Sequence, residues 1–429
     1  MTQPLVELPS THQGAVRLGD PRYHADPGGI FRQLRRSYGP VAPVLLDGDV
    51  PAWLVLNYRE LVHVTTDTDT FARSSARWRL AACLPADWPL WPMVGGGQAI
   101  DSLLYTEGEA HRRRAAAMTD ALAAVDLIEV KARCEQAGEQ LLGRFADRGE
   151  AELMTCFAQQ LPVMALGWAL GVPADRADAL VAGFTAMLSG GPDAIAGQQQ
   201  ARDIITDHVH HTRACPAANV TAALVSHPVG LTTSQLVEDL MVAIIAGHQT
   251  TAYWIGNGLR LMLTDQRFTA SVSRGRLPVS QALREVLWED TPTQIFAGRW
   301  TTRPADLGSF RIPSGDLVLL GLAAANTDPH IRTDPHIRPD VAGVRGSRAY
   351  LSYSHGPHGC PVPARHLSEI IATTGLEILL DRLPDMSLAC HSDQLRWQPG
   401  VWMRGLSALP VRFTPAPPVY GHPGGVPWT

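Results

Sequence analysis

The sequence predicts a mainly α protein: one helix-rich domain with small β-sheets near the N-terminus and in the C-terminal half. Three observations carry this. Residues 107–291 are dominated by apolar positions at helical spacing. β-like pieces are confined to a stretch before residue 57 and to the region beyond Thr293. No linker-like run divides the chain, and 429 residues with 45% hydrophobic content suffice for one large core.

The elements follow in order. Residues 1–20 lack periodicity and read as an extended segment, residues 21–415 as the domain, and "APPVYGHPGGVPWT" (416–429) as a Pro/Gly-rich tail. "DPGGIFRQLRRSYG" is a capped helix. "VAPVLL" and "PAWLVL" flank "DGDV", a hairpin signal. "NYRELVHVTTDTDTF" returns to helix. Between Ala72 and Thr106 the pattern dissolves into a long loop with Trp78, Trp88, Trp91 and Gly95-Gly96-Gly97, the kind of segment that often serves as a lid or binding loop. The glycine run has no following lysine, so it is no phosphate loop. Helices resume with "AHRRRAAAMTDAL" and culminate in "TSQLVEDLMVAIIAGHQTTAYWIGNGLRLMLTD". The late β pieces are "TQIFAGRWTT", "GSFRIPSGDLVLLGL" and "ALPVRFT". "DPHIR" occurs twice, at 328–332 and 334–338, as an irregular proline-punctuated segment rather than a solenoid.

Bulk chemistry excludes several classes. Lysine plus arginine total 36 against 41 acids, a net charge of −5, so no basic excess exists to neutralise nucleic-acid phosphates. Six irregularly spaced cysteines form neither a disulfide framework nor a zinc module. The N-terminus lacks a signal peptide's basic start and apolar core. Leu236 to Leu263 carries too many polar residues to span a membrane. A soluble, cytoplasmic, monomeric protein is expected. In "DHVHHTRAC" the ligand types would suit zinc, but a solvated helix end accounts for them.

Chemistry concentrates in "YSHGPHGCPVPAR", Tyr353–Arg365. Gly356 and Gly359 allow the loop to turn backbone N–H groups toward the Cys360 sulfur, and His358 is in reach of an anionic group. Read alone, the loop suits either a buried thiol or a metal ligand. The spacing resembles the haem loop of the cytochrome P-450 family, F-G-x-G-x-H-x-C: Gly356, His358 and Cys360 match, Tyr353 and Ser354 depart, and Val362 stands where the family has glycine. The resemblance implies that Cys360 is the axial thiolate of a haem b iron. It implies too that Tyr353, Gly356 and His358 belong to the cofactor-binding set, His358 against a propionate.

Further motifs resemble the same family, in the same order, over nearly the whole chain. "AGHQTT" is similar to A/G-G-x-D/E-T-T in the helix that crosses the haem's oxygen face. Ala246 and Gly247 would border the haem, Gly247 permitting a local helix opening, and Thr250 would serve proton delivery. Gln249 replaces the family's acid. An amide holds water but does not titrate, so water, His248 or a substrate group must carry the proton. "EGEAHRRR" resembles the propionate-binding helix: His111 matches, Ala115 stands at the arginine, and Arg113 or Arg114 takes over, with Arg114 the assigned residue. "GRW" gives Arg299 as a second propionate ligand. In "REVLWED", Glu285 matches E-x-x-R but Trp288 replaces its arginine, as in a subset of actinomycete relatives. Trp288 is expected in the core, and Glu285 is expected to find Arg338, another arginine or backbone donors.

The resemblance therefore implies the triangular cytochrome P-450 fold and a haem-thiolate monooxygenase. Electrons would come from NAD(P)H through a ferredoxin reductase and a ferredoxin. The substrate would be an apolar small molecule of lipid, terpenoid or polyketide type. Its pocket would draw on the 72–106 loop, Ala243, Ala246, Thr293–Phe296 and Val401–Trp402. Two alternatives stand beside it: a haem-binding partner or regulatory module, and a peroxide-driven oxygenase.

Overall fold

The computed structural model describes residues 6–95, 101–189, 191–265, 278–332 and 347–416. One helix of 32 residues, Thr233–Thr264, runs through its centre. Thr232 and Gln235 close its start with a capping box, Gln235 N to Thr232 Oγ1 at 3.2 Å and Thr232 N to Gln235 Oε1 at 3.1 Å. From Thr251 to Leu259 every residue is buried. A helix apolar all round needs neighbours all round. The helices Gln160–Leu170, Ala194–Ala214, Val279–Glu289 and Val362–Arg382 provide them. Asn257, buried within that run, donates its amide to the carbonyls of Asp290 and Arg404, both at 3.1 Å.

The two β regions expected from the sequence are joined in one six-stranded sheet. Its order is Val16–Arg17, Val41–Leu46, Val50–Val55, Leu317–Leu320, Phe296–Thr301, Phe71–Ala72. The "DGDV" hairpin forms as expected, with Val41 opposite Val55 and Leu46 opposite Val50. Gly48 takes positive φ (74°) at the turn. Trp53 then pairs in parallel with Val318, which brings the late chain onto the early hairpin. A three-stranded sheet (Ser387–Leu388, Pro410–Arg412, Glu150–Glu152) and a hairpin (Ala305–Leu307, Phe310–Ile312) complete the β structure among the described residues.

Several expectations need correction. The N-terminal segment is not loosely held: Val16 pairs with Val44, Leu18 is fully buried, and the His12 ring meets the Ala52 carbonyl at 3.1 Å. Short apolar side chains between polar ones gave no periodic signal, yet each fills the sheet's open edge. Of the 72–106 loop, Pro92, Met93 and Ser102–Tyr105 line an apolar cavity, but its tryptophans do not. Trp91 packs edge-on against Trp78 and Trp88, Trp78 and Trp88 are tilted to each other (5.2–5.8 Å between centroids), and all three are buried in the core beside the sheet. His208 is buried against Leu170 O and Thr221 Oγ1, and no group of three metal-ligating side chains occurs among the described residues. Among those residues, no helix is long and apolar enough to cross a membrane.

Trp288 occupies the core as expected. It is buried, packs edge-on against Tyr350 at 5.8 Å and donates to Ser347 O at 3.2 Å. Arg284 is committed elsewhere, to Glu369 at 2.7 Å. Ile337, Arg338 and the second "DPHIR" copy lie outside the described residues. Nearby, Asn326 ties three segments together. Its amide nitrogen donates to Leu287 O and Ser352 Oγ, each at 2.9 Å, and its oxygen accepts from Leu351 N at 2.7 Å. Asn326 is fully buried, so Asn326→Leu strands the buried Leu351 N–H and leaves Leu287 O with the Ser352 hydroxyl alone. We expect a loss of roughly 2–4 kcal/mol, read as a lower urea midpoint at unchanged slope.

Candidate functional site

The loop ahead of the helix Val362–Arg382 is shaped by its own backbone. Ser354 N bonds Leu351 O (2.7 Å), Gly359 N bonds Gly356 O (2.9 Å) and Cys360 N bonds Tyr353 O (2.9 Å). Gly356 sits at φ 71°, and a Cβ there would collide with the Thr65 carbonyl oxygen. Arg365 closes the loop from the helix, donating Nε to Cys360 O at 2.7 Å with its guanidinium 5.5 Å over the Tyr353 ring. The Tyr353 hydroxyl meets Ser368 Oγ at 3.0 Å. The N–H groups of Gly359 and Cys360 are thus spent on the loop itself, not on the sulfur as the sequence reading expected. Burial pushes the Cys360 thiol up to about 11, with Arg365 working the other way. A thiolate here needs a cation in front of it. Val362 is 56% exposed and points away from the sulfur's surroundings.

Cys360 lies on the wall of a cavity of about 440 Å³. Ala243, Ala246, Gly247, Thr250 and Thr251 of the central helix line the same cavity, and Leu104, Phe296 and Trp402 are among its apolar walls. Of the expected pocket, Val401 is absent: it lies in the core, its carbonyl accepting from the Tyr23 hydroxyl at 3.1 Å. The helix is not opened at Gly247. That glycine is a contact point, since a Cβ there would stand 2.9 Å from Leu166 Cδ1. The Thr250 hydroxyl donates back to the Ala246 carbonyl, which leaves its oxygen free to accept. Gln249 is not on the cavity wall. It is buried, with the Tyr253 hydroxyl as its side-chain neighbour. His248 turns to Gln159 O at 3.0 Å, and burial lowers its pKa. Of the two residues assigned to catalysis, Thr250 alone meets the cavity.

Beside the cavity stands a cluster of buried cationic and imidazole groups. Arg299 and Arg73 are 0% and 1% exposed. Arg299 donates to Gly298 O at 3.2 Å, and its Nε and Nη2 have no partner. Arg73 donates to the carbonyls of Leu104 (2.8 Å), Ala297 (3.0 Å) and Gly298 (2.5 Å), with Nη2 unpartnered. Burial lowers the pKa of both, Arg73 to about 10 and Arg299 well below its ordinary value; Arg73 adds to the depression of Arg299, and both add to that of His358. His111 and His358 stack at 3.7 Å. His111 faces Leu103 O (2.8 Å) and Pro357 O (3.0 Å), and His358 Nε2 faces Thr106 O (2.9 Å). Burial, then Arg73 and His111, push His358 down to about 2. The nearest acid, Glu107, is committed to Ser74 N and Arg77.

Two buried guanidiniums without a carboxylate call for anions from outside the chain. Haem b suits the site: two carboxylates for Arg299, Arg73 and His358, whose Nδ1 is unpartnered, an iron for Cys360, and an apolar macrocycle for an apolar cavity. His111, with both ring nitrogens on carbonyls, backs His358 by stacking. Arg73 was missed in the sequence, where it is one arginine in a stretch without pattern. Arg114, assigned to a propionate, is corrected. Its guanidinium is taken by Asp239 at 2.5 and 3.0 Å and by Asp101 at 2.5 Å. The two carboxylates lie far from it in sequence, so spacing could not reveal them. Arg112 and Arg113 are exposed, the former paired with Glu109.

No family model matches the chain. It is 27% identical over 402 residues to 2-hydroxy-5-methyl-1-naphthoate 7-hydroxylase of Streptomyces carzinostaticus, covering 91% of this chain and 95% of the relative. It is 28% identical over 404 residues to the cytochrome P450 monooxygenase PikC of Streptomyces venezuelae, covering 91% and 92%. The solved structure of CYP154C4 from Streptomyces sp. W2061 superposes with a TM-score of 0.82 at 26% identity, covering 92% of this chain and 97% of that one.

Two outcomes follow from the buried charge. Arg299→Met stabilises the cofactor-free protein by roughly 1–3 kcal/mol, while the loaded variant releases cofactor faster on dilution. Equal effects in both states would contradict this. His358 binds no proton in the folded cofactor-free state above pH about 2, whereas the unfolded chain titrates at its ordinary 6.5. Below 6.5 the unfolded state therefore binds more protons, and stability is lost as pH falls, by up to about 1.4 kcal/mol per pH unit. Carboxylates opposite His358 reduce that slope, so urea midpoints of the loaded protein change less between pH 7 and 5.

Proposed function

We propose that the chain is a haem-thiolate monooxygenase of the cytochrome P-450 type, like the relatives it resembles, and that it hydroxylates or epoxidises an apolar, ring-bearing small molecule, fed by a ferredoxin and its reductase. The observation that carries this is an apolar cavity lined by Cys360, His111 and His358, with the buried, counterion-free guanidiniums of Arg73 and Arg299 close behind His358. Haem b, when bound through the Cys360 sulfur, supplies the reductive activation of dioxygen.

The chain's own residues do the rest. Arg299, Arg73 and His358 would hold the cofactor's carboxylates, with His111 stacked against His358 to fix its ring. Arg365 and Tyr353 hold the backbone on either side of the cysteine. The central helix presents Ala243 and Ala246, side chains small enough to leave room for substrate. Thr250 is the hydroxyl that can hold a water and pass a proton into the cavity. Gln249 cannot titrate, so protons reach Thr250 through water. The cavity's apolar walls exclude bulk water and suit a polyketide-like or terpenoid ring system, in keeping with the naphthoate relative. The amide at position 249 favours a second reading, peroxide as the oxidant, because peroxide brings its own protons and electrons.

Three measurements bear on this. The reduced, carbon-monoxide-treated protein should show the thiolate-type absorption band, and Cys360→Ala should abolish it. A band unaffected by Cys360→Ala would end the assignment. Gln249→Glu should raise product formed per NAD(P)H consumed, severalfold if proton supply limits coupling. Turnover with NADPH, a surrogate reductase and a ferredoxin supports the main reading, whereas turnover with peroxide alone supports the second.

A further inference from the structure

The cavity wall formed by residues 101–106 contains no helix or strand, so its backbone groups must be satisfied by other means. Side chains do this. Leu103 N donates to Asp239 Oδ1 at 2.6 Å. The carbonyls of Leu103, Leu104 and Thr106 are met by His111, Arg73 and His358. Asp101 is held at both oxygens, by Arg114 Nη1 at 2.5 Å and by Gln235 Nε2 at 3.0 Å, and its carbonyl accepts from Arg114 Nη2 at 2.8 Å. Ser102, Leu103, Leu104 and Tyr105 line the cavity, whereas Arg114 and Asp239 do not.

Arg114 and Asp239 are 4% and 1% exposed. A buried ion pair is a poor source of stability against an apolar pair of similar size. A guanidinium does offer five N–H groups in a rigid fork. Here the fork addresses Asp239 on the central helix, Asp101 at the start of the wall and the Gln235 carbonyl (3.4 Å) at the helix start. We propose that Arg114 and Asp239 are positioning residues that fix the 101–106 wall, and so set which molecules the cavity accepts, without touching substrate. The wall's other end rests on His111, Arg73 and His358, so the groups that hold the cofactor also hold the substrate wall. This inference builds on the proposed function for its ligand readout, but its exchange readout does not depend on haem.

The test compares wild type, Arg114→Lys, Asp239→Asn and the double variant Arg114→Met/Asp239→Leu, all as purified haem-loaded protein. Amide hydrogen exchange of the 101–106 peptide should rise about tenfold or more in each variant, with the double variant's urea midpoint unchanged. Binding of two probes is read from the haem absorption shift. Imidazole, too small to press on the wall, should keep its Kd within about twofold, whereas 4-phenylimidazole, whose phenyl ring needs the wall, should weaken about fivefold or more. Unchanged exchange with unchanged affinities would overturn the proposal. So would an equal loss for both probes with a lowered urea midpoint, the pattern of a merely structural pair. If no haem is incorporated but exchange still rises, the wall assignment stands and the functional reading fails.

Discussion

Burying a guanidinium without a counterion is among the costlier acts in protein folding, and this chain does it twice. Arg299 and Arg73 are enclosed by the sheet and the 101–106 wall; the hydrogen bonds described for them go to carbonyl oxygens, and Arg73 also lies over the Tyr105 and Phe296 rings. Carbonyl dipoles soften that cost and do not cancel it. The arrangement makes sense when carboxylates arrive from outside, so the cofactor serves as counterion as well as reagent. Much of the fold answers to that requirement. The parallel pairing of Val50–Val55 with Leu317–Leu320 aligns the strand that carries Arg299. The stacked histidines bridge the helix Gly108–Ala123 to the cysteine loop.

Around this charge the remaining parts are apolar and rigid. The central helix is buried on all faces through its middle, which keeps Ala243, Ala246 and Thr250 at a fixed place on the cavity wall. The cysteine loop is over-determined: three backbone hydrogen bonds, a glycine pressed against Thr65 and an arginine over a tyrosine ring hold one short segment. By contrast, the 101–106 wall owns no regular structure and borrows its shape from side chains on four other segments. Selectivity and cofactor binding share those side chains, so a change on one side is felt on the other.

Much was legible in advance. The hairpin at "DGDV", the long central helix and the cysteine loop each follow from local pattern, because turn chemistry and helical periodicity act within a few residues. Cys360, His358, His111 and Arg299 could be named from the family resemblance of their motifs; the first three line one cavity, and Arg299 lies close enough to His358 to affect it electrostatically. Gly247 was visible as a special residue, though its task is contact with Leu166 rather than a helix opening. Trp288 was legible as a core residue simply because it is large and apolar.

Residue types and their order along the chain determined the helix-rich class, singled out Cys360 and carried the family resemblance. Those are properties of short windows and of motif succession. Tertiary structure alone decided the partnerships. Three arginines, Arg112–Arg114, look alike in sequence, yet the helix turns two outward and drives Arg114 inward onto Asp239, 125 residues away. Arg73 joined the buried cluster because the strand Phe71–Ala72 pairs with Phe296–Thr301 and carries it to Arg299. Charges choose partners by distance in space. For pairs hundreds of residues apart, that distance exists only once the sheet register and the helix packing are in place.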